Sequence, residues 1–380
     1  MQAKKIFIIA GEVSGDILGA DLMNAIISKN KNIKFYGVGG TEMAKISKFK
    51  TIFDIKDIAV MGIFEVLRHL KIIKKRIAQT VDEIVKIKPD LIITIDSPGF
   101  NMRVVKQVKK LLPNTKIMHY VAPQVWAWKE KRAKKVASLY DYLLCFFDFE
   151  VPYFTKYGLK TFAIGHTAIK NVKGEKEAFL KKYNLKKDDD IITMLPGSRV
   201  QMAKKLLPIY KEVAESLKKI SNVKIVIPTT STSDEFVRKE VEKWDIVPIL
   251  ITSKEDRYNA FKASKVVLSI SGTAVLEIAI MGTPVVVAYK MSNLSYMIAK
   301  RLVKIKNVSL PNIIMGKRIV PEFIQEECNA KNLSKIIKKT IDNKKYRDES
   351  LKNLSIMKKK LEQKKAPSEM GAEIILDILK

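Results

Sequence analysis

Cysteine and histidine are scarce in this sequence of 380 residues: Cys145 and Cys328 are the two thiols, and His69, His119 and His166 the three imidazoles. Two cysteines outside any framework spacing argue against a disulfide-stapled scaffold, and three widely separated histidines offer no zinc-ligand spacing, so neither disulfides nor zinc are expected. No stretch approaches the roughly 20 apolar residues that a spanning helix requires, and the apolar run from Ile6 to Ala10 is too short for a signal peptide. A cytoplasmic protein, soluble or held at a membrane surface, is the expectation. The motifs GxxxxGK with a following Ser or Thr, and GxGxxG, are both missing, which counts against ATP hydrolysis and dinucleotide redox chemistry. Acidic residues are outnumbered: 40 Asp and Glu stand against 70 Lys and Arg, a formal charge of +30. That excess favours anionic partners, whether phosphate groups, acidic lipids or nucleic acid, and a Lys-rich solvated surface would carry the same balance.

With 47% hydrophobic residues, the chain can bury two cores of ordinary size. Short apolar runs ending in Gly, Ser, Asp or Pro alternate with amphipathic stretches of helical period, the signature of βαβ units. Strands are expected at Ile6 to Ala10, Phe35 to Val38, Leu91 to Ile95, Lys116 to Tyr120 and Tyr142 to Phe146. A second series is expected at Ile191 to Leu195, Lys224 to Ile227, Val266 to Ile270 and Pro284 to Tyr289. This divides the chain into an N-terminal domain over 1–166, a C-terminal domain over 167–345 and a helical tail over 346–380 that could brace the first domain.

Open α/β sheets bind ligands beyond the carboxyl ends of their strands, so the loops that follow strands carry the candidates. AGEVSGD, ending at Asp16, separates the first strand from a helix expected over 17–28. Its glycines permit close approach by a ligand, Ser14 or Asp16 could cap the helix, and Glu12 and Asp16 argue against a phosphate cradle. In LIITIDSPGFN, Leu91 to Asn101, Asp96 ends an apolar strand. Desolvation there would raise its proton affinity above the free value of about 3.9 and suit it to general-base work, and a capping role in a Ser-Pro turn is the other reading. HYVAPQVWAWKEKR brings His119, Gln124, Trp126 and Trp128 ahead of a basic run, with indoles suited to stacking on a sugar or to core packing.

LPGSR, Leu195 to Arg199, follows a strand and opens a helix, where backbone N–H groups with Ser198 and Arg199 can hold a diphosphate. SISGTAVLEIAIMGTP repeats the arrangement, with Ser271, Gly272 and Thr273 at the helix start and Glu277 one turn on, suited to accept ribose hydroxyls. Either loop alone is a weak signal. Together in one domain, each in the order strand, turn, helix, they indicate nucleotide binding.

AGEVSGDILGADL, YGVGG, AVMGIFEVL, IDSPGFN, HYVAPQVWAW, IGHT, LPGSR, SGTAVLE and VSLPNII, in this order, resemble the lipid-A-disaccharide synthase family over roughly residues 5 to 330. The set as a whole is specific, whereas SGTA with Glu277 alone is common to many glycosyltransferases. The resemblance implies an α/β protein of the GT-B fold, two Rossmann-like doubly wound domains with the active site in the interdomain cleft. It implies an inverting enzyme without metal or cofactor, moving 2,3-diacylglucosamine from UDP-2,3-diacylglucosamine to the 6-hydroxyl of 2,3-diacylglucosamine 1-phosphate and releasing UDP. On this resemblance Asp96 is the catalytic aspartate, Arg199, Ser198, Ser271, Gly272, Thr273 and Glu277 surround UDP, and Asn312 is a further functional position. Glu12, Ser14, Gly15, Asp16, Asn101, Gln124 and Trp126 are further substrate-site candidates. The chain departs from the family at Gly99, where a second Asp is common, and at Met202, where a Glu is common.

Acylated substrates reside at a bilayer, so attachment to the inner face of the cytoplasmic membrane without a spanning segment is expected. From Ile63, the residues Val66, Leu67, Leu70, Ile73 and Ile77 recur at helical spacing beside Arg68, Lys71, Lys74, Lys75 and Arg76, and Met297 to Lys306 is a second basic, apolar region. A core-facing stripe with a solvated face fits the same pattern. Assembly as a homodimer is left open by the sequence. The rival classes are another UDP-sugar enzyme of this fold, which should lack the AGEVSGD, IDSPGFN and HYVAPQVWAW set, and a basic nucleic-acid-binding protein, for which no known module is present.

Overall fold

The computed structural model describes residues 3–46, 49–59, 69–126, 131–218, 222–292, 296–297 and 307–380, with the backbone alone at 170 and 171. The apolar runs form strands. In the first unit these are β1 (Lys4–Ala10), β2 (Ile33–Val38), β3 (Leu91–Ile95), β4 (Lys116–Tyr120), β5 (Tyr142–Cys145) and β6 (Lys160–Ala163). They make one parallel sheet in the order β2-β1-β3-β4-β5-β6. Residues Ile6 to Ala10 are wholly buried because helices cover both faces. Strand alternation sends Phe7, Ile9 and Ile92 to one face, against Ile73, Ile77 and Ile84 of the helix Leu70–Ile87. Ile6, Ile8 and Ile93 go to the other face, against Leu22, Met23 and Ile26 of the helix Val13–Lys29. Each such buried side chain stabilises the unit by about 1.5–3 kcal/mol.

The second unit repeats the plan with β7 (Asp190–Leu195), β8 (Val223–Pro228), β9 (Ile249–Ile251), β10 (Val266–Ser269), β11 (Val285–Tyr289) and β12 (Glu322–Ile324). Their order is β12-β11-β10-β7-β8-β9, again all parallel. Ile192 and Met194 pack on Leu206, Tyr210 and Val213 of the helix Val200–Leu217 and on Leu333 and Ile337 of the helix Ala330–Asp342. Ile191 faces the opposite way, toward Phe179 and Ala260. In both sheets the chain reverses its direction of growth at one place, between β1 and β3 in the first and between β7 and β10 in the second. Adjacent crossovers diverge there and leave a crevice at the carboxyl ends of the strands.

The structure adds β6, β9 and β12 to the strands expected from sequence, and all three are edge strands of three or four residues. Partly exposed, β6 and β12 carry no continuous apolar run, and the apolar run Ile249–Ile251 of β9 is only three residues long. The first long helix starts at Val13, not at residue 17, so Ser14, Gly15 and Asp16 lie in its first turn. The units divide as 1–166 with 363–380, and 167–362. The stretch 346–380, expected as one tail, is thereby split. The helix Lys344–Leu361 belongs to the second unit and Pro367–Ile378 to the first, where Ala372, Ile375 and Leu379 join the core of Ile6 and Ile8.

Of the amphipathic stripe expected from Ile63, residues Ile63, Val66, Leu67 and Arg68 lie outside the described residues, as do Trp128 and 298–306. Within the described part, Ile73 and Ile77 are buried in the core and Leu70 is half-buried. Arg76 is taken up by Asp57, its Nε donating to Oδ2 at 2.8 Å, and lies over the Phe53 ring. The stripe from Leu70 onward is therefore core-facing, and its solvated side carries Lys71, Lys74 and Lys75. Among the described residues no helix is long and apolar enough to cross a membrane.

Candidate active site

At the switch point of the first sheet, Asp96 and Ser97 follow β3 with φ of +48° and +41°, and Val121 follows β4 with φ of +76°. Side chains rarely adopt this left-handed region, and each such residue costs about 1–3 kcal/mol, so the surrounding contacts must hold them there. Asp96 N–H donates to Tyr120 O (3.0 Å), and Val121 N–H to Leu144 O (3.0 Å). Asn101, fully buried, donates from Nδ2 to Ile95 O (3.2 Å) and Asp96 O (2.8 Å). It thus fixes the backbone that aims Asp96.

Beside this turn, Gly11 lets the end of β1 approach: a Cβ there would lie 2.5 Å from Ser97 Oγ. The next residue, Glu12, accepts the Ser97 hydroxyl at 3.2 Å. Burial raises the proton affinity of Asp96, opposed by the Ser97 backbone N–H. Burial raises that of Glu12 also, reinforced by the charge of Asp96 and opposed by the Ser97 hydroxyl. The departure at Gly99 leaves Asp96 as the only carboxylate of its loop, but the fold brings Glu12 to it from another.

Other candidates of this unit separate. Ser14 is exposed at the helix start and Gly15 is buried beneath it, its space bounded by Ala10 and Ile95. Asp16 is buried and accepts the backbone N–H groups of Gly40 (2.7 Å), Glu42 (2.9 Å) and Met43 (3.0 Å). It caps a neighbouring turn and not its own helix, so its carboxylate is spent within the fold. Gln124 is exposed. Trp126 packs edge-on against Phe149 with ring centroids 5.7 Å apart, a core use of the indole. His119 is buried, shares a hydrogen bond with the Thr94 hydroxyl (2.6 Å) and stacks on Tyr140; burial pushes its pKa down to about 3, so it stays neutral.

In the second unit a cavity of about 390 Å³ lies at the switch point between β7 and β10. Gly197, Ser198, Arg199 and Met202 line it from the first loop and Ser271, Gly272 and Thr273 from the second. Gly197 has φ of +108°, a conformation that glycine accepts without strain. The Thr230 and Thr232 hydroxyls donate to Ser198 O at 3.2 and 2.6 Å and hold the loop. The helix Thr273–Ile280 has no side-chain cap at its N-terminus, leaving backbone N–H groups for a ligand. Glu277 is half-buried one turn on. Burial raises its proton affinity, countered by the charge of Arg257, the Tyr258 hydroxyl and Lys254.

Asn312 lies away from that lining. It is fully buried and saturated: Oδ1 accepts Ile319 N–H (2.7 Å) and Val320 N–H (2.8 Å), and Nδ2 donates to Val320 O (2.8 Å) and Glu322 Oε1 (2.8 Å). Glu322 in turn accepts Val308 N–H, Ser309 N–H and the Ser309 hydroxyl. Val308 O then accepts the Ser271 hydroxyl at 3.0 Å. Asn312 is therefore a support of the cavity wall through Ser271, with no hydrogen-bonding position left for a substrate.

A family model described as lipid-A-disaccharide synthetase matches residues 6–375. This chain belongs to the lipid-A-disaccharide synthase family. The synthase of Rickettsia prowazekii (strain Madrid E) is 40% identical over 376 residues, 98% of each chain. That of Granulibacter bethesdensis is 36% identical over 346 residues, 90% of this chain and 87% of the relative. Among solved structures, sucrose-phosphate synthase from Thermosynechococcus elongatus superposes with a TM-score of 0.63 at 13% identity, covering 99% of each chain. UDP-GlcNAc 2-epimerase from Neisseria meningitidis, bound to UDP-GlcNAc, gives 0.61 at 14% identity, covering 100% of this chain and 99% of that one. At such identity these show the fold, two Rossmann-like α/β units of the GT-B class. As a member of the lipid-A-disaccharide synthase family, the chain is a glycosyltransferase acting on hexose units.

Sequence reasoning missed Arg257, Tyr258, Glu322 and the pairing of Glu12 with Ser97. Arg257 sits in the run SKEDRYNAFK, where charged and polar neighbours hide it. Glu322 lies on a short edge strand that has no apolar signature. Only the fold discloses their partners.

Proposed function

We propose that the chain transfers 2,3-diacylglucosamine from UDP to the 6-hydroxyl of 2,3-diacylglucosamine 1-phosphate, with inversion and without a metal, forming a β-1,6-linked disaccharide and UDP. Asp96 takes the 6-hydroxyl proton as that oxygen attacks the anomeric carbon, while the bond from the anomeric carbon to the phosphate oxygen breaks and UDP leaves with the electron pair. A nucleotide diphosphate needs no protonating acid. Arg199, Ser198 and the helix start at Ser271 to Thr273 stabilise its developing charge, and Glu277 accepts ribose hydroxyls. The observation that carries the reading is the pairing of chemistries: a half-buried, proton-avid carboxylate at one switch point and a guanidinium-lined cavity at the other.

Two surface features support a lipid substrate at a membrane. Val13 and Ile17, one turn apart on the helix that starts beside Glu12, are exposed apolar side chains. A groove of about 580 Å³ between the helices Leu70–Ile87 and Pro98–Leu111 has Leu70, Ile73, Ile77 and Ala78 within it and Lys74, Arg103, Lys106 and Lys110 along it. Each Lys or Arg at an anionic surface contributes about 1 kcal/mol, enough in sum for reversible attachment to the inner face of the cytoplasmic membrane.

Incubation with UDP-2,3-diacylglucosamine and 2,3-diacylglucosamine 1-phosphate in the presence of chelator, followed by mass spectrometry, should give the disaccharide and UDP in equal amounts. UDP release without disaccharide, or epimerisation of the donor, would refute the assignment.

A further inference from the structure

The cavity of the second unit contains a cation that no motif of this chain marks. Arg257, on the helix Lys254–Ala263, lines it together with Arg199, and among the described lining residues no carboxylate accompanies them. Arg199 is exposed on its loop, whereas Arg257 is half-buried. Its Nε is fully buried and finds no hydrogen-bond partner among the described residues. With Nε unpaired and no carboxylate in the described lining, the guanidinium is incompletely compensated, and an anion entering the cavity meets its charge. The Tyr258 hydroxyl, interacting with both Arg257 and Glu277, holds the guanidinium near the carboxylate without closing a direct ion pair. The charge of Arg257 acts on Glu277, yet its Nε keeps no acceptor of its own among the described residues.

We propose that Arg257 binds a phosphate oxygen of the nucleotide, making a two-arginine clamp with Arg199 on the diphosphate. This rests on the uridine-nucleotide reading of the cavity. Arg257 is the pre-organised member, half-buried on the helix Lys254–Ala263, while Arg199 is exposed on its loop. Glu277, joined to Arg257 through the Tyr258 hydroxyl, is left to the ribose, so one short run of contacts reads sugar and phosphate together.

Calorimetric titration of the full chain with UDP and with uridine tests this. Arg257→Gln should lower UDP affinity about 10- to 100-fold, the loss of one charge-assisted hydrogen bond, and leave uridine affinity within about twofold. Arg257→Lys, which keeps the charge and loses the planar fork, should fall between, and it carries the same comparison if the Gln chain does not fold. Equal weakening of UDP and uridine, or no change in either, overturns the phosphate role of Arg257 alone. A wild-type chain that binds UDP no better than uridine overturns the nucleotide reading of the cavity and the clamp with it.

Discussion

At the switch point of the first sheet the ionisable groups are carboxylates, Glu12 and Asp96, and at that of the second they are guanidiniums, Arg199 and Arg257. The scaffolds are alike: six parallel strands, helices on both faces, one reversal of strand order. What differs is the end to which the same crevice is put. In the first, burial raises the proton affinity of both carboxylates, and the charge of Asp96 raises that of Glu12 further. In the second, glycine turns and uncapped helix starts gather positive charge. A topology decides where a crevice forms, and a handful of loop residues decide which charge it presents.

That division of labour is broken most directly at Asp96. Asp96→Asn should lower kcat by about 10²- to 10⁴-fold while UDP affinity in a calorimetric titration stays unchanged; full turnover would end the base assignment. Asn312→Ala strands the buried Ile319 and Val320 N–H groups and part of Glu322, and should cost about 2–4 kcal/mol in denaturant unfolding. It should also raise KM for the UDP donor, because Val308 O no longer fixes Ser271; a loss of stability with an unaltered KM would confine Asn312 to folding. The smallest effect belongs to Glu12→Gln. Burial, not Glu12, holds the Asp96 carboxyl above the ordinary carboxylate range, so the acidic limb of the kcat/KM profile should stay in place. A limb that moves to lower pH would show that the charge of Glu12 also holds up the Asp96 carboxyl.

Much of this was legible in the sequence because parallel strands buried on both faces must be apolar throughout. Leu91–Ile95 and Lys116–Tyr120 lie where their composition put them. The three missed strands are edges, where one side meets solvent and the apolar run shortens. The loops at Asp96, Arg199 and Ser271 stood out because strand, turn and helix follow one another locally. Partnership across the chain was hidden. Glu12 meets Ser97 over 85 residues, and Ser271 meets Val308 over 37. Asp16 and Asn312 show the opposite failure: the first is occupied by backbone N–H groups, the second by backbone N–H groups, a carbonyl and Glu322, so neither polar group is left for a ligand.

The helix Pro367–Ile378 leaves the ribosome only after the whole of 167–362 has been made, yet its Ala372 and Ile375 complete the core laid down by the first strand. The earlier-born unit therefore waits, with Leu22 and Ile26 uncovered, until translation has passed through the later one. Vectorial synthesis cannot finish the two in order, and a chain cut between residues 362 and 367 strands Glu12 and Asp96 in an unfinished fold while keeping the whole unit that holds the cavity of arginines.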